Sequence, residues 1–497
     1  MKRICAHVAA ALTLLTSFAF AQGADGTLAL QGLDQRLLLD VRSRGMGGAV
    51  LAAGKNASVL FVNPASLAGI SSIELRVAGI GMTTSQRQTQ EWVPNRLYTG
   101  LSLMMEDKWG DINTPATTDP WEQLQKPFDT IGPNWSRKNN QLRPLSLALA
   151  MPVQIAEIPV VFGIGGSRAI DLDHFFQNNN VTDPLLGRYR PTPIRELTAS
   201  ETLRVRWYQF TRKREGSIWG VTPAVGVSFS GLSIGASGTY YTGSSDDVEQ
   251  RLDRGFLTFS YNRFRIQDTV KYASARTGSS TYSGFGGTLA VKFEQPRFSV
   301  AATLQLPYTL KRKYTRTFRS TESVLINRAS DSSVTTTINL DDTGTENIRY
   351  PLTYSLGVLL KPSDRWAIAF DYDVRRLDRV EYTLNDGTMS RPWVDGASFR
   401  VGAEYSCCDG LALRAGYREV PQAFSPDGAA LIGDPAVMTV LSFGAGLNLL
   451  GIEIDAAYEY ANLKYQDLWQ SNVNYNTLTQ HRVMLEFGYK LFEETKQ

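Results

Sequence analysis

The stretch Arg365-Trp366-Ala367-Ile368-Ala369-Phe370-Asp371-Tyr372-Asp373-Val374-Arg375 decides how the rest of this chain is read. Its even-numbered residues, Trp366, Ile368, Phe370, Tyr372 and Val374, are all apolar or aromatic. Its odd-numbered residues are small or charged. Side chains on a strand alternate between two faces, so this is a strand with one greasy face and one small or charged face. Residues 451–461 repeat the pattern, with Ile452, Ile454, Ala456, Tyr458 and Tyr460 set against Gly451, Glu453, Asp455, Ala457, Glu459 and Ala461. A soluble sandwich also alternates, with its polar face toward water. The spacing of the strands separates the two readings.

From about residue 350 the strands come in pairs. Residues 349–361 and 365–380 join across Pro362-Ser363-Asp364, 397–406 and 410–421 across Cys407-Cys408-Asp409, and 437–449 and 451–464 at Gly451. Longer segments, 381–396, 422–436 and 465–479, lie between pairs. Tight turns on one side and long loops on the other are what a membrane-spanning antiparallel barrel requires. The whole chain then reads as 14 strands: 72–84, 142–153, 158–170, 217–230, 232–243, 282–294, 297–310, 349–361, 365–380, 397–406, 410–421, 437–449, 452–464 and 480–492. Six connections are short, and the first four long ones are 85–141, 171–216, 244–281 and 311–348. Residues 95–106 and 200–214 also read as strand. They either extend their neighbours beyond the membrane or raise the count to 15 or 16.

Targeting agrees with this fold. Met1-Lys2-Arg3 is a basic start, Val8 to Phe20 is mostly apolar, and Ala19-Phe20-Ala21 is a small-x-small cleavage site, so residues 1–21 read as a signal peptide. No later stretch approaches the 18 apolar residues of a membrane helix. Removal of Lys2 and Arg3 leaves 49 basic against 48 acidic residues, a balance that argues against nucleic-acid binding. Cys407 and Cys408 are the only cysteines after processing, so no disulfide framework holds the fold. They read as plain residues of a periplasmic turn, with a vicinal disulfide as the alternative. Trp92, Trp109, Trp121 and Trp135 fall in the first long loop, as an external greasy patch or as that loop's own core.

Residues 22–70 do not look like barrel wall. They carry Arg42-Ser43-Arg44-Gly45-Met46-Gly47-Gly48-Ala49 and end in Asn63-Pro64-Ala65-Ser66-Leu67-Ala68-Gly69. Crowded glycines permit tight turns, and the cluster lacks the Gly-Lys-Ser/Thr ending of a phosphate loop. A compact segment just before a barrel, residues 71–492, is most economically a plug in its lumen. Residues 493–497 form a polar extension after the last strand.

Gly45-Met46-Gly47-Gly48-Ala49, followed by Asn63-Pro64-Ala65, resembles the hatch of the FadL family of outer-membrane transporters for hydrophobic compounds. Lys361-Pro362-Ser363-Asp364-Arg365-Trp366 and Leu413-Arg414-Ala415-Gly416-Tyr417 are similar to that family as well. The resemblance implies an all-β, 14-stranded transmembrane barrel plugged by an amino-terminal hatch, with Gly45, Gly47, Gly48, Asn63, Pro64 and Ala65 as its characteristic residues. It also implies capture of an apolar ligand by outer loops, movement of the hatch, and sideways release at a kink in the third strand. Gly163, Gly165 and Gly166 mark that kink here, since glycine weakens a strand and often marks a bulge. Arg42, Arg44 and Arg400 are the candidates to hold a fatty-acid carboxylate.

Strand parity places Asp371, Asp373, Arg375, Arg400, Glu404, Arg414, Arg418, Glu453, Asp455, Glu459, Arg482, Glu486 and Lys490 in the lumen. Mixed signs argue against a selective ion pore, which carries a ring of one sign. His174 and His481 have no nucleophile or metal-ligand partners at a recognisable spacing. The expectation is therefore a non-enzymatic bacterial outer-membrane protein without cofactor or metal, passively admitting long-chain fatty acids or other hydrophobic compounds. Its partners are then a hydrophobic small molecule, outer-membrane lipid and, during biogenesis, the barrel-assembly machinery. A PorV-like component of protein secretion, binding exported proteins, is the alternative.

Overall fold

A computed structural model describes residues 32–92, 134–155, 157–184, 202–260, 263–267, 272–327, 332–408, 410–423, 436–449, 451–469 and 472–491. Fourteen wall strands follow one another around a closed barrel. They are β1 (Ile73–Trp92), β2 (Trp135–Ile155), β3 (Ile158–Asp171, continued by His174–Pro184), β4 (Thr202–Phe229) and β5 (Leu232–Ser260). Next come β6 (Arg263–Gln267 and Tyr272–Glu294), β7 (Phe298–Gln305 and Tyr308–Asn327), β8 (Ser332–Tyr350 and Thr353–Ser363) and β9 (Trp366–Val374). The circuit ends with β10 (Ala397–Cys408), β11 (Leu411–Pro421), β12 (Val437–Leu449), β13 (Ile452–Trp469) and β14 (Asn472–Leu491). Each is antiparallel to its sequence neighbours, and β14 pairs back onto β1 from Leu491↔Ile73 to Asn472↔Trp92. Closure gives every strand a partner on both sides over at least part of its length, as a bilayer demands because hydrocarbon solvates no peptide group.

All fourteen strands expected from the sequence are present, but most of the four long connections are not loops. β4 and β5 run for 28 and 29 residues, where a membrane crossing needs about 9–11. Residues 244–260 and 311–327 continue their strands well above the membrane, and residues 202–214 extend β4 rather than adding a wall strand. These extensions carry many polar and charged residues, so the apolar stripe seen in the membrane is weak or interrupted in them. Their backbone ladders hold them in water. Residues 95–106, Trp109 and Trp121 lie outside the described residues, as do 1–31 and 492–497.

The parity reading holds in the membrane. Phe370 and Tyr372 face outward and exposed, whereas Ala369 and Asp371 are buried inward. At the outer boundary two neighbouring strands switch faces together. Leu306-Pro307 on β7 and Pro351-Leu352 on β8 interrupt the ladder between Gln305↔Thr353 and Tyr308↔Tyr350. Proline has no N–H to give a ladder, which confines it to such irregular places. Above the break Tyr308 and Tyr350 point inward, stacked with ring centroids 4.6 Å apart, and join a buried cluster with Tyr241, Tyr282 and Trp393.

Residues 32–72 run inside the barrel. A short helix spans Val41–Gly45, and 3₁₀ turns span Ala57–Phe61 and Pro64–Gly69. Asn56 and Asn63 begin the two 3₁₀ turns by accepting hydrogen bonds from Ser58 N and Ala65 N. This is ordinary Asx capping of otherwise orphaned amides. Gly47 and Gly48 adopt φ of +69° and +87°, which turns the chain against the wall. There the backbones nearly touch: a Cβ on Gly402 would lie 2.1 Å from Met46 O, and one on Gly416 would lie 2.1 Å from Gly47 N. By contrast, a Cβ on Gly166 meets nothing within 4 Å. Gly402→Ala is therefore expected to lower stability by about 1–3 kcal/mol through overpacking, and Gly166→Ala to leave it nearly unchanged. Thermal unfolding in detergent followed by circular dichroism checks this, and equal midpoints for the two variants contradict it.

Candidate functional site

The luminal segment is tied to the wall by charge as much as by packing. Arg42 grips Glu404 with two bonds of 3.0 and 2.7 Å and donates a third to Ala53 O. Arg44 grips Glu459 in the same bidentate way, at 3.0 and 2.7 Å. Glu459 also accepts from Arg418 at 2.7 Å and Arg482 at 3.1 Å, so one fully buried carboxylate holds three guanidiniums. Other wall carboxylates accept backbone amides of the segment. Asp371 takes those of Val50 and Leu51, at 2.7 and 3.0 Å, and Glu486 takes that of Val41, at 3.1 Å. Charge-assisted bonds of this kind are stronger than neutral ones. Apolar contacts fill the rest: Leu60, Leu67 and Phe61 against β2 and β3, and Met46, Leu51 and Ala52 against β7, β8 and β9.

Above the segment a cavity of about 510 Å³ opens, floored by Leu37, Leu38, Leu39, Phe61 and Val62. Its walls are amphipathic. Met82, Trp135, Phe175, Phe176, Tyr241 and Tyr350 provide apolar surface. Twelve Arg and Lys side chains line it against five Asp and Glu, among them Arg36, Arg143, Arg375 and Arg400. Arg36 donates to Gln305 Oε1 and the Tyr308 hydroxyl, and its guanidinium lies 5.3 Å from the ring centroids of both Tyr308 and Tyr350. Arg375 donates to Asp34 O at 2.7 Å, and Arg400 pairs with Asp373.

One side of the cavity is a seam without a backbone ladder. β2 and β3 pair from Ile155↔Ile158 up to Ser146↔Ser167, and no pairing is found between them beyond that point among the described residues. β2 continues to Trp135 bonded to β1, and β3 continues to Pro184 bonded to β4. Bulges mark the parting on both strands: Leu145 is skipped in the β1–β2 ladder and Ala169 in the β3–β4 ladder. Such bulges bend a strand and re-aim its side chains. Across the seam β2 reaches β3 through side chains, and at its foot the luminal segment backs β3, Leu37 N donating to Ala169 O and Asp171 N to Gln35 O, both at 3.1 Å. Gln141 and Arg143 of β2 donate to Asp173 at 2.6 and 2.5 Å, and Arg143 also reaches Asp171 at 3.4 Å. Trp135 donates to Gln177 O at 3.0 Å and meets the Phe175 ring edge-on at 5.6 Å.

The residues singled out in sequence fall at different places. Gly163, Gly165 and Gly166 lie just below the seam, in ladders continuous on both sides. Gly163 and Gly165 give room to Leu67 and Phe61 of the luminal segment. Gly45, Gly47 and Gly48 lie against β10 to β12, and Pro64 and Ala65 against β4 and β5 at Gly226 and Gly235. Asn63 caps its turn and donates to Leu51 O at 2.6 Å. Of the three candidate cations, Arg400 and Arg44 line the cavity, and Arg42 lies beneath it, committed to Glu404 and Ala53. Trp135 is a cavity residue rather than part of an external loop. His481 faces outward, its Nδ1 2.8 Å from the Tyr458 hydroxyl. Cys407 and Cys408 are free thiols at the end of β10. Sequence reading missed Arg36 and the parting of β2 from β3 above Ser146 and Ser167. Glu459→Gln strips the charge partner from three guanidiniums and is expected to cost about 3–5 kcal/mol of stability, with Arg482→Gln costing less. Thermal unfolding of the two variants checks the order.

The sequence pattern of the family described as "Outer membrane protein transport protein (OMPP1/FadL/TodX)" matches residues 258–488. A comparison with curated proteins finds no match. Among solved structures, a Pseudomonas aeruginosa FadL homologue superposes with a TM-score of 0.55 at 12% identity, covering 91% of this chain and 98% of that one. The P. putida toluene transporter TodX gives a TM-score of 0.54 at 14% identity, covering 91% and 99%. A CymD monoaromatic hydrocarbon channel gives 0.50 at 15% identity, covering 93% and 99%. At these identities the superpositions speak for the fold, and the family pattern speaks for the sequence of its second half. Together they show a FadL-like barrel fold, with the family pattern running from β5 through most of β14.

Proposed function

We propose that this protein passively admits amphipathic hydrophobic molecules, such as long-chain fatty acids, through the outer membrane. Residues 1–21 are the export signal, residues 22–70 the hatch, and the seam between β2 and β3 the lateral exit. The observation that carries this reading is a cavity whose floor is the luminal segment and whose side is a seam where, among the described residues, β2 and β3 share no backbone ladder. A ligand entering from outside buries its apolar body against the aromatic side chains, at about 0.8 kcal/mol per methylene. Its carboxylate meets Arg36, Arg375 or Arg400, the last a cation also singled out in sequence. Arg42 and Arg44, bonded to Glu404 and Glu459, anchor the hatch instead. Parting Gln141 and Arg143 from Asp173, with a shift of Phe61 at Gly165, opens a way from the cavity to the bilayer. The secretion reading is not favoured, because the similar proteins are transporters and channels of small molecules.

Two measurements test the reading. A Gln141→Cys/Asp173→Cys pair, in a Cys407→Ser/Cys408→Ser background, staples the seam when oxidised. Uptake of a radiolabelled long-chain fatty acid by cells carrying it is expected to fall to background and to return on reduction. Unchanged uptake with the staple verified on a gel rules out exit at the seam. For head-group recognition, Arg36→Gln/Arg375→Gln/Arg400→Gln is expected to weaken binding of palmitate about tenfold or more while sparing hexadecanol, since a hydrogen bond to a charged group contributes about 1.5–3 kcal/mol. Equal loss for acid and alcohol assigns these arginines a structural role.

A further inference from the structure

Among the described residues, the outer surface of the barrel carries a concentrated basic patch on the wall of β7 to β9. The outward apolar side chains there end at Leu306 on β7 and Leu352 on β8. Immediately above, the outward positions are Thr309, Lys311 and Lys313 on β7 and Arg349 and Asn347 on β8, all exposed. Their alternating neighbours, Leu310, Arg312, Ile348 and Tyr350, are buried inward. In the ladders Lys311 lies between Ser283 and Asn347, and Lys313 between Thr281 and Thr345, so neither lysine has an acidic cross-strand neighbour. Arg349 stands diagonally from Lys311, one ladder step away, and Arg391 joins from the segment after β9. Glu381 is shared by Arg349 at 3.6 Å and Arg391 at 2.8 Å. The hydrogen bond from Arg391 holds the Glu381 carboxyl below its ordinary range, so it stays ionised. Four cations and one anion thus leave three net positive charges on a flat face, beginning where the apolar band ends. At comparable height β2 presents Lys138, with Arg87 of β1 diagonal to it, and β13 presents Lys464, a lower density of cations in both places.

We propose that this patch binds the phosphate groups of an anionic lipid of the outer leaflet. Height and charge together argue for a lipid: a headgroup lies at the level of Lys311 and Arg349 only if its chains lie along Phe285, Leu306 and Leu352 just below. Lysine and arginine near a membrane surface each contribute about 1 kcal/mol toward anionic lipid, and phosphate accepts several charge-assisted bonds at once. The bound lipid occupies the wall away from the β2–β3 seam, which it leaves unobstructed. The inference does not depend on what the cavity carries.

Native mass spectrometry of the full chain in detergent tests it, with bis-phosphorylated lipid A as probe and the same lipid stripped of phosphate as reference. The wild type is expected to retain the phosphorylated form at least about fivefold better, the factor a single such charge supplies. Lys311→Gln/Lys313→Gln/Arg349→Gln should bring the ratio close to one, while Lys311→Arg/Lys313→Arg keeps it high and Lys138→Gln/Lys464→Gln leaves it unchanged. Equal retention of the two lipids by the wild type overturns the proposal. So does a wild-type ratio in the triple glutamine variant, or the same loss in the Lys138/Lys464 control.

Discussion

A fourteen-stranded wall encloses more space than its own side chains fill, and the bilayer forbids relieving this by opening an edge. Every other feature of the lumen answers to that constraint. Residues 32–72 occupy the periplasmic half, glycine backbone against glycine backbone where the fit is tightest. The aromatic cluster around Tyr308 and Tyr350 fills the outer part on the β5 to β9 side. What remains open is the cavity beside β1 to β3 and β12 to β14.

The polar character of the lumen follows from how the segment is held. An all-apolar plug in an all-apolar tube would have many equivalent positions. Here Arg42 meets Glu404 on β10 and Arg44 meets Glu459 on β13, and backbone amides meet Asp371 on β9 and Glu486 on β14. Directional bonds to separate strands select one seating. The same arginine-rich surface continues upward as the cavity lining, so a carboxylate-bearing ligand enters an environment already built around guanidinium and carboxylate pairs.

How much of this was legible in the sequence depended on which medium touched each face. Between Trp366 and Val374 lipid on one side and lumen on the other leave opposite chemistry on alternate residues, and the strand and its inward set Asp371 and Asp373 could be read directly. Between Ser244 and Leu252 polar side chains such as Asp246, Asp247, Glu249 and Gln250 fall on both faces, and the strand is written mainly in its backbone bonds. The seam was hidden for another reason. Ser146 and Ser167 end a ladder because of bulges at Leu145 and Ala169, and neither residue differs in kind from ordinary wall residues. Gly163 and Gly165 lie on β3 below the parting, where they give room to Leu67 and Phe61.

The seam also changes what kind of object the barrel is. A fully laddered ring has no end from which to come apart, and every strand is braced on two sides. Here the upper halves of β2 and β3 are joined to each other through side chains such as Arg143, Asp173 and Trp135, while the luminal segment backs β3 at Ala169 and Asp171. That makes the outer part of the barrel a hinged sleeve rather than a hoop, able to widen along one line while its periplasmic rim stays closed. Thermal opening and amide exchange then have a defined starting point, at the height of Ser146 and Ser167, and proceed outward from it.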